Sequence, residues 1–157
     1  MKKVLVVLMA ALMVFSVAAC GGKKASTPAG TLAEAFKEAA KDSNASAEDL
    51  ANTLSTNEII PFMAMAMPLE ADSWFPGFTE NPTGFTSAAS FGPAISTIPF
   101  IGYVFEVDGD AEAFAKSLDS ITDLGWNVCT RADEKKTEIV GNKVFFVMAP
   151  NTFDEEQ

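Results

Sequence analysis

The pattern that most limits the possible fold lies in the last third of the chain. Residues 97–107 are rich in β-branched and aromatic side chains, which is typical of a strand that is buried on both faces. Asp108-Gly109-Asp110 ends this run, and apolar residues then recur at helical spacing over 111–121. The pattern predicts a central strand, then a turn, then a helix that packs on a sheet.

Two more strands are predicted after this helix. Gly125 is suited to end the helix, and residues 126–131 then have the composition of a strand. Residues 143–149 are almost all apolar, and a tight turn at 141–142 would join them to 138–140. We therefore expect a small, mainly antiparallel sheet with one packed helix.

Two helices are predicted near the N-terminus. Residues 31–42 are rich in helix formers, with Thr31 placed to cap them. Ser46 and Asp49 have the spacing of a capping box, and the second helix should end before Pro61.

Residues 61–99 have a different composition, with many prolines, glycines and aromatics and hardly any basic charge. This predicts irregular or short-stranded structure that is too apolar to be disordered and that drapes over the sheet. The fold class is therefore expected to be α+β, with N-terminal helices, a long irregular Pro/aromatic segment and the small sheet.

The first residues carry an export signal. Two lysines precede an apolar run over 4–17, which is too short to cross a hydrocarbon layer of about 30 Å. Ala18, Ala19 and Cys20 follow this run directly. They resemble the lipobox of bacterial lipoproteins. The resemblance implies that signal peptidase cuts between Ala19 and Cys20 and that Cys20 receives a diacylglyceryl group.

Two acyl chains hold a protein stably at a bilayer, so the expected location is the extracytoplasmic face of the cell membrane. The expected division is a signal peptide over 1–19, a lipidated tether over 20–30 and a single α+β domain over 31–157. A plain secreted protein with a cysteine at the start of its mature chain is the alternative.

A second resemblance covers residues 97–149. Phe100-Ile101-Gly102-Tyr103, together with 108–114 and 125–130, is similar to small lipoproteins of uncharacterised function from clostridial bacteria. It implies no activity and no site residues, and it agrees with an envelope location.

Composition excludes several classes of function. The net charge of −10 makes nucleic acid a poor partner. The chain has no histidine, which removes Ser-His-Asp and Cys-His catalysis and the commonest zinc ligand. With Cys20 lipidated, Cys129 is the only remaining thiol, so no intramolecular disulfide can form. We expect no enzyme, no cofactor and no metal.

Five groups of residues remain as candidate sites, and four of them concern metal binding, catalysis or thiol chemistry. Met63, Met65 and Met67 place three soft thioethers at a period of two, which suits Cu(I), although an alternating strand or methionines that fill packing gaps would give the same pattern. Glu106, Asp108 and Asp110 could act in glycoside hydrolysis. A calcium loop from Asp108 to Asp119 has Ala113 where the sharp turn needs glycine, so this turn more simply caps a helix. Cys129 is expected to be a buried, inert thiol, and the alternative is a reactive thiol if Cys129 and Arg131 face one cleft.

The candidate binding patch is Trp74, Phe75 and Phe78, because aromatics on a Pro/Gly segment give rigid contact area. The alternative is that these rings cover one side of the sheet. The predicted function is a lipid-anchored binding or structural protein of the envelope, with an unknown protein or small molecule as its partner. A carboxylate-based hydrolase and a copper-handling protein that uses the methionines are the alternatives.

Overall fold

The structure is a computed structural model that describes residues 26–94 and 97–153. The predicted signal peptide, its cleavage site and Cys20 lie outside these residues. In chain order, the helices and strands are α1 (Pro28–Ala39), α2 (Ala47–Ser55), β1 (Ala64–Leu69), β2 (Phe85–Pro93), β3 (Ile101–Val107), α3 (Ala111–Ile121), β4 (Glu134–Val140) and β5 (Lys143–Ala149). The predicted α+β class is confirmed.

The strands form one sheet in the order β1-β2-β3-β5-β4, and every neighbouring pair is antiparallel. β3 is central, as its two apolar faces predicted. Gly141, at φ +61°, lies in the tight turn that joins β4 directly to β5. This confirms the predicted hairpin.

The two faces of the sheet bury separate cores. α1 and α2 pack on one face, against residues that include Phe91, Val104 and Phe145. α3 packs on the other face, where Tyr103 and Phe105 are fully buried. Neighbouring residues of β3 point to opposite faces because side chains alternate along a strand. We call these the α1–α2 face and the α3 face.

Side-chain caps set where the first two helices begin. Thr27 accepts the N–H of Gly30, and Pro28 takes the first helical position, where its missing N–H costs nothing. α1 therefore begins earlier than predicted and includes the last three residues of the predicted tether. The capping box of α2 is confirmed, since Ser46 Oγ accepts the N–H of Asp49 at 3.1 Å and the Asp49 carboxylate accepts the N–H of Ser46 at 3.0 Å.

Residues 61–99 form short strands, which was one of the two predicted forms. β1 and β2 pair over the whole length of β1. Pro68 is tolerated because β1 is an edge strand and Pro93 because it ends β2. The connecting segment 70–84 covers part of the α3 face. The prediction that residues 61–99 lie over the sheet is therefore right for this segment and not for the whole range.

Residues 126–131 do not form the predicted strand. Their polar side chains make loop contacts instead: Asn127 and Thr130 both donate to the carbonyl oxygen of Thr97. β5 is already paired on both sides, by β3 and by β4, so no ladder edge next to it is open to this stretch. Strand-like composition is not sufficient where the neighbouring strand has no open edge.

Gly102 in β3 is required because the Phe91 ring lies over it. A Cβ at Gly102 would overlap that ring, which is fully buried and lies 6.4 Å from the Phe145 ring, centroid to centroid. Gly102→Ala should lower the free energy of unfolding by about 1–3 kcal/mol, the usual cost of overfilling a core. Urea unfolding of the variant and the wild type measures this difference.

The matched background is Phe91→Leu, which removes the ring. There, Gly102→Ala should cost less than it does in the wild type, because the two changes share one contact. An equal cost in both backgrounds would show that the ring is not the reason for this glycine.

Candidate functional site

An open groove lies on the α3 face, where β2 ends and β3 begins. Its volume is about 370 Å³, within the range of small-molecule sites. None of the side chains that line it is charged. They are Met67, Leu69, Trp74, Pro76, Ser90, Gly92, Pro93, Ala94, Ile98, Phe100, Ile101 and Trp126.

The floor of the groove exists because β2 presents small residues to this face. Ser90 pairs with Met67 and Gly92 pairs with Met65, so these four residues share one face of the β1–β2 ladder. The large aromatic side chain between Ser90 and Gly92 points to the α1–α2 face. The short side chains of β2 therefore form the floor of the groove, and longer side chains border it.

The segment 70–84 supplies another part of the groove lining. The N–H of Ser73 donates to the carbonyl oxygen of Glu70 at 3.0 Å, and the N–H of Glu70 donates to Ser73 Oγ at 2.9 Å. This turn reverses the chain directly after β1. It brings Trp74 to the same groove as Met67.

Tyr103, the only tyrosine of the chain, holds the segment 70–84 on the sheet. Its hydroxyl donates to the carbonyl oxygen of Pro76 at 2.6 Å. The next residue, Gly77, has φ +88°, and a Cβ there would overlap the end of the Met148 side chain. The lining that this segment provides is thus anchored to the sheet at two adjacent positions.

Trp126 also lines the groove, and it brings an unpaired donor. Its indole nitrogen is buried and, among the described residues, has no hydrogen-bond partner. A buried donor without a partner costs about 1–3 kcal/mol. This nitrogen has almost no exposed surface, so what Trp126 presents to the groove is its aromatic ring.

The three methionines in and directly before β1 are exposed. The exposed fractions of Met63, Met65 and Met67 are 86%, 52% and 54%. The prediction that these side chains fill packing gaps is wrong. β1 is the alternating strand named as the other alternative, but its alanines, Ala64 and Ala66, face the core.

The predicted patch of Trp74, Phe75 and Phe78 does not form. Phe75 is 1% exposed and stacks on Phe105, with ring centroids 6.2 Å apart. Phe78 is half-buried and packs on Tyr103 at 5.3 Å. The alternative is right for these two rings, which cover the sheet, while Trp74 is 78% exposed and belongs to the groove.

The carboxylates at the end of β3 have structural roles. Asp110 caps α3 by accepting the N–H groups of Glu112 and Ala113, both at 3.0 Å, as the turn predicted. Asp108 is exposed and Glu106 is half-buried in the strand. This arrangement gives a turn and a helix cap, and it does not favour hydrolysis.

The structure also shows the surroundings of the calcium-loop candidate and of Cys129. Asp119 forms an ion pair with Lys135 at 2.5 Å. Within 26–94 and 97–153, no three His, Cys, Asp or Glu side chains are grouped so that they could hold a metal ion. Cys129 is an exposed free thiol, so the prediction of a buried thiol is wrong, because the strand that would have buried it is absent.

Sequence reasoning missed the floor of the groove and the role of Trp126. The signal for the floor is present in the chain, since Ala88, Ser90 and Gly92 put small side chains at every second position of a strand. This alternation lies within residues 61–99, for which the composition predicts no strand bounds.

Comparisons with protein-family models, with curated proteins and with solved structures found no match to this chain. No helix within the described part of the chain is long and apolar enough to cross a membrane. Function must therefore be argued from the side chains themselves.

Tyr103→Phe tests how the groove lining is anchored. Burial raises the pKa of Tyr103 well above its usual value of 10.0. The variant leaves the Pro76 carbonyl without this donor, so the free energy of unfolding at neutral pH should fall by about 1–2 kcal/mol. Urea unfolding measures it.

The same variant has a pH signature. In the unfolded chain the phenol loses its proton near pH ~10, whereas the folded protein keeps it, so wild-type stability should decline as pH rises above about 10. Tyr103→Phe should lack this part of the decline. If the folded wild type shows phenolate absorbance at the pH where the unfolded chain does, burial does not keep the Tyr103 phenol protonated, and the prediction is contradicted.

Proposed function

We propose that this protein is a membrane-anchored lipoprotein of the extracytoplasmic face that binds an apolar, uncharged ligand in the groove on the α3 face. The observation that carries the binding proposal is the uncharged lining of the groove in a chain whose net charge is −10. An acidic protein that keeps one concave surface free of charge favours a ligand that water solvates poorly.

The lining suggests the shape of the ligand. Trp74 and Trp126 offer aromatic surface, and Ser90 and Gly92 leave space at the floor. A flat aromatic or aliphatic group matches this set. Burying about 200 Å² of apolar surface would gain about 5 kcal/mol, and the cost of association leaves only modest affinity.

The anchor is compatible with an open groove. α1 begins soon after Cys20 in the chain and packs on the α1–α2 face, opposite to the groove. Lys23 and Lys24 lie between Cys20 and the helix, and each would gain about 1 kcal/mol beside anionic headgroups. The resemblance to small clostridial lipoproteins favours the same location.

The binding proposal is tested with N-phenyl-1-naphthylamine, a neutral aromatic probe. Direct excitation of the probe, titrated into the purified full chain, should give a saturable rise in fluorescence. Trp74→Ala should weaken this binding about tenfold, because a lost aromatic contact is worth about 1.4 kcal/mol. Trp74 is 78% exposed, so its removal should leave the fold intact.

The matched control is Val128→Ala. Val128 is 98% exposed, apolar and outside the groove lining. The Val128→Ala variant should therefore bind the probe with the same affinity as the wild type. Non-saturable partition of the probe into detergent is common to all variants. Equal affinities for wild type and Trp74→Ala would overturn the groove as the binding site.

Lipidation is tested by metabolic labelling with an alkyne analogue of palmitate. The wild-type protein should take up the label, and Cys20→Ala should not, because the acyl chains attach at that thiol. Cys129→Ala is the control, since it removes the other cysteine of the chain and should label normally. Label that persists in Cys20→Ala would rule out the lipid anchor.

A further inference from the structure

The outer edge of β1 is open within the described part of the chain. β1 stands at one end of the sheet, and among the described strands only β2 pairs with it. An open edge presents backbone N–H and C=O groups to which another strand can bind. Proteins commonly protect such an edge with charged side chains, and β1 has none.

The even-numbered residues of β1 point their backbone groups outward. The N–H of Val107 donates to the carbonyl oxygen of Asn142, on the β5 side of β3. Backbone groups alternate between the two neighbours of an antiparallel strand, so this bond fixes the alternation in β3, and the registers carry it through β2 to β1. Pro68 agrees, because proline lacks an N–H and is tolerated where an edge strand faces solvent. The outward N–H groups are therefore those of Ala64 and Ala66.

The side chains beside this edge on the α3 face are methionines. Met65 and Met67 share that face, and Met63, directly before β1, continues the alternation. All three are more than half exposed, and none belongs to either core. In a chain with a net charge of −10, this apolar row is a place where two copies can meet without charge repulsion.

One register suits antiparallel pairing of β1 with β1 of a second copy. With Met65 opposite Met65 of that copy, Ala64 lies opposite Ala66, and such a pair exchanges both of its backbone hydrogen bonds. The outward groups of Ala64 and Ala66 are then all paired, and Pro68 lies at the end of the ladder. A register with Ala66 opposite itself would instead place Pro68 opposite Ala64 and leave the Ala64 carbonyl oxygen without a donor.

The same register joins the methionines of the two copies into one row. Met63 lies opposite Met67 of the second copy, on either side of the Met65 pair. Side chains that are directly opposite on one face have Cβ atoms about 4.5–5.5 Å apart, and the flexible methionine side chain adapts to such a contact. Apolar surface that a single copy exposes to water is then covered.

This pairing suits two chains that are anchored in one membrane, a step that rests on the proposed lipid anchor. The two-fold axis is perpendicular to the sheet, so the α1–α2 faces of both copies point the same way. α1 begins at Pro28 and packs on that face, so both tethers would leave on one side. A single strand pair is small beside the ~1,200–2,000 Å² that specific interfaces bury, and a shared membrane raises the effective concentration of the copies.

We propose that the protein forms a two-fold dimer through antiparallel pairing of β1, centred on Met65. This goes beyond the binding of an apolar ligand, because it uses the edge of the sheet and not the floor of the groove. It also places Met63 of the second copy beside Met67, at the border of the groove.

Disulfide trapping in cell membranes tests the pairing. The full chain with Cys129→Ser also carries Met65→Cys, and the membranes are oxidised with copper phenanthroline. Opposite residues that are not hydrogen-bonded to each other have Cα atoms about 4.5 Å apart, which a disulfide can span. Met65→Cys should therefore give a dimer on a non-reducing gel, and a reductant should remove it.

The register is tested by the other two methionines. In the proposed dimer, residue 67 of one copy lies about 14 Å from residue 67 of the other, which is too far for a disulfide. The same holds for residue 63. Met63→Cys and Met67→Cys should therefore give no dimer alone, whereas M63C/M67C should give one.

Val128→Cys is the matched control for chance collisions. Val128 is 98% exposed, against 52% for Met65, so random encounters would link it at least as readily. It should give little dimer. Adding Met65→Lys to M63C/M67C should slow dimer formation about tenfold or more, because like charges directly opposite each other repel. Adding Val128→Lys should leave the rate unchanged.

Three results would overturn the proposal. They are no dimer from Met65→Cys, an equally strong dimer from Val128→Cys, and a dimer from Met67→Cys as strong as that from M63C/M67C. If a strand of another protein covers β1, Met65→Cys gives no dimer.

The parent chain with Cys129→Ser alone separates this proposal from the lipid anchor. It should give no dimer, because the lipid occupies the thiol of Cys20. A dimer from the parent would contradict lipidation and not the pairing of β1. The same comparison of Met65→Cys with Val128→Cys in a chain with Cys20→Ser would then decide the pairing.

Discussion

The burial of β3 on both faces is the constraint on which the rest of the structure depends. A strand that is apolar on both faces must have a layer on each side, and α1 with α2 on one side and α3 on the other provide them. Tyr103 and Val104 show this in two adjacent residues, each fully buried in a different core. Cys129 is the single cysteine within 26–94 and 97–153, so packing and not a disulfide between these residues carries this arrangement.

The groove follows from unequal coverage of the two faces. α2 contacts β1, β2 and β3, and α1 contacts β4 and β5, so the α1–α2 face is covered across the sheet. α3 contacts chiefly β4 and β5, and the segment 70–84 covers the centre through Phe75 and Phe78. The α3 face of β1 and β2 is left open. The small side chains of Ser90 and Gly92 deepen that opening into the groove.

Local patterns predicted the elements that depend on local chemistry. The strand before Asp108, the cap of α3 at Asp110 and the Gly141 turn all follow from neighbouring residues. Features that depend on contacts between distant parts of the chain were not predicted. Residues 126–131 have the composition of a strand but pair with no strand, and both edges of β5 are already taken by β3 and β4. Phe75 looks like an exposed anchor until the sheet beneath it is known. Which rings are covered depends on tertiary contacts that spacing does not encode.

The two edges of the sheet differ in the charge that they present to solvent. β4 carries charged residues such as Lys136 and Glu138, which discourage pairing with another sheet. β1 has no charged residue, and Pro68 removes only one backbone donor. An uncharged edge is a liability for aggregation, and charged side chains at the exposed positions of Met65 and Met67 would reduce it. At Met67, which lines the groove, an uncharged side chain is what the proposed apolar ligand requires.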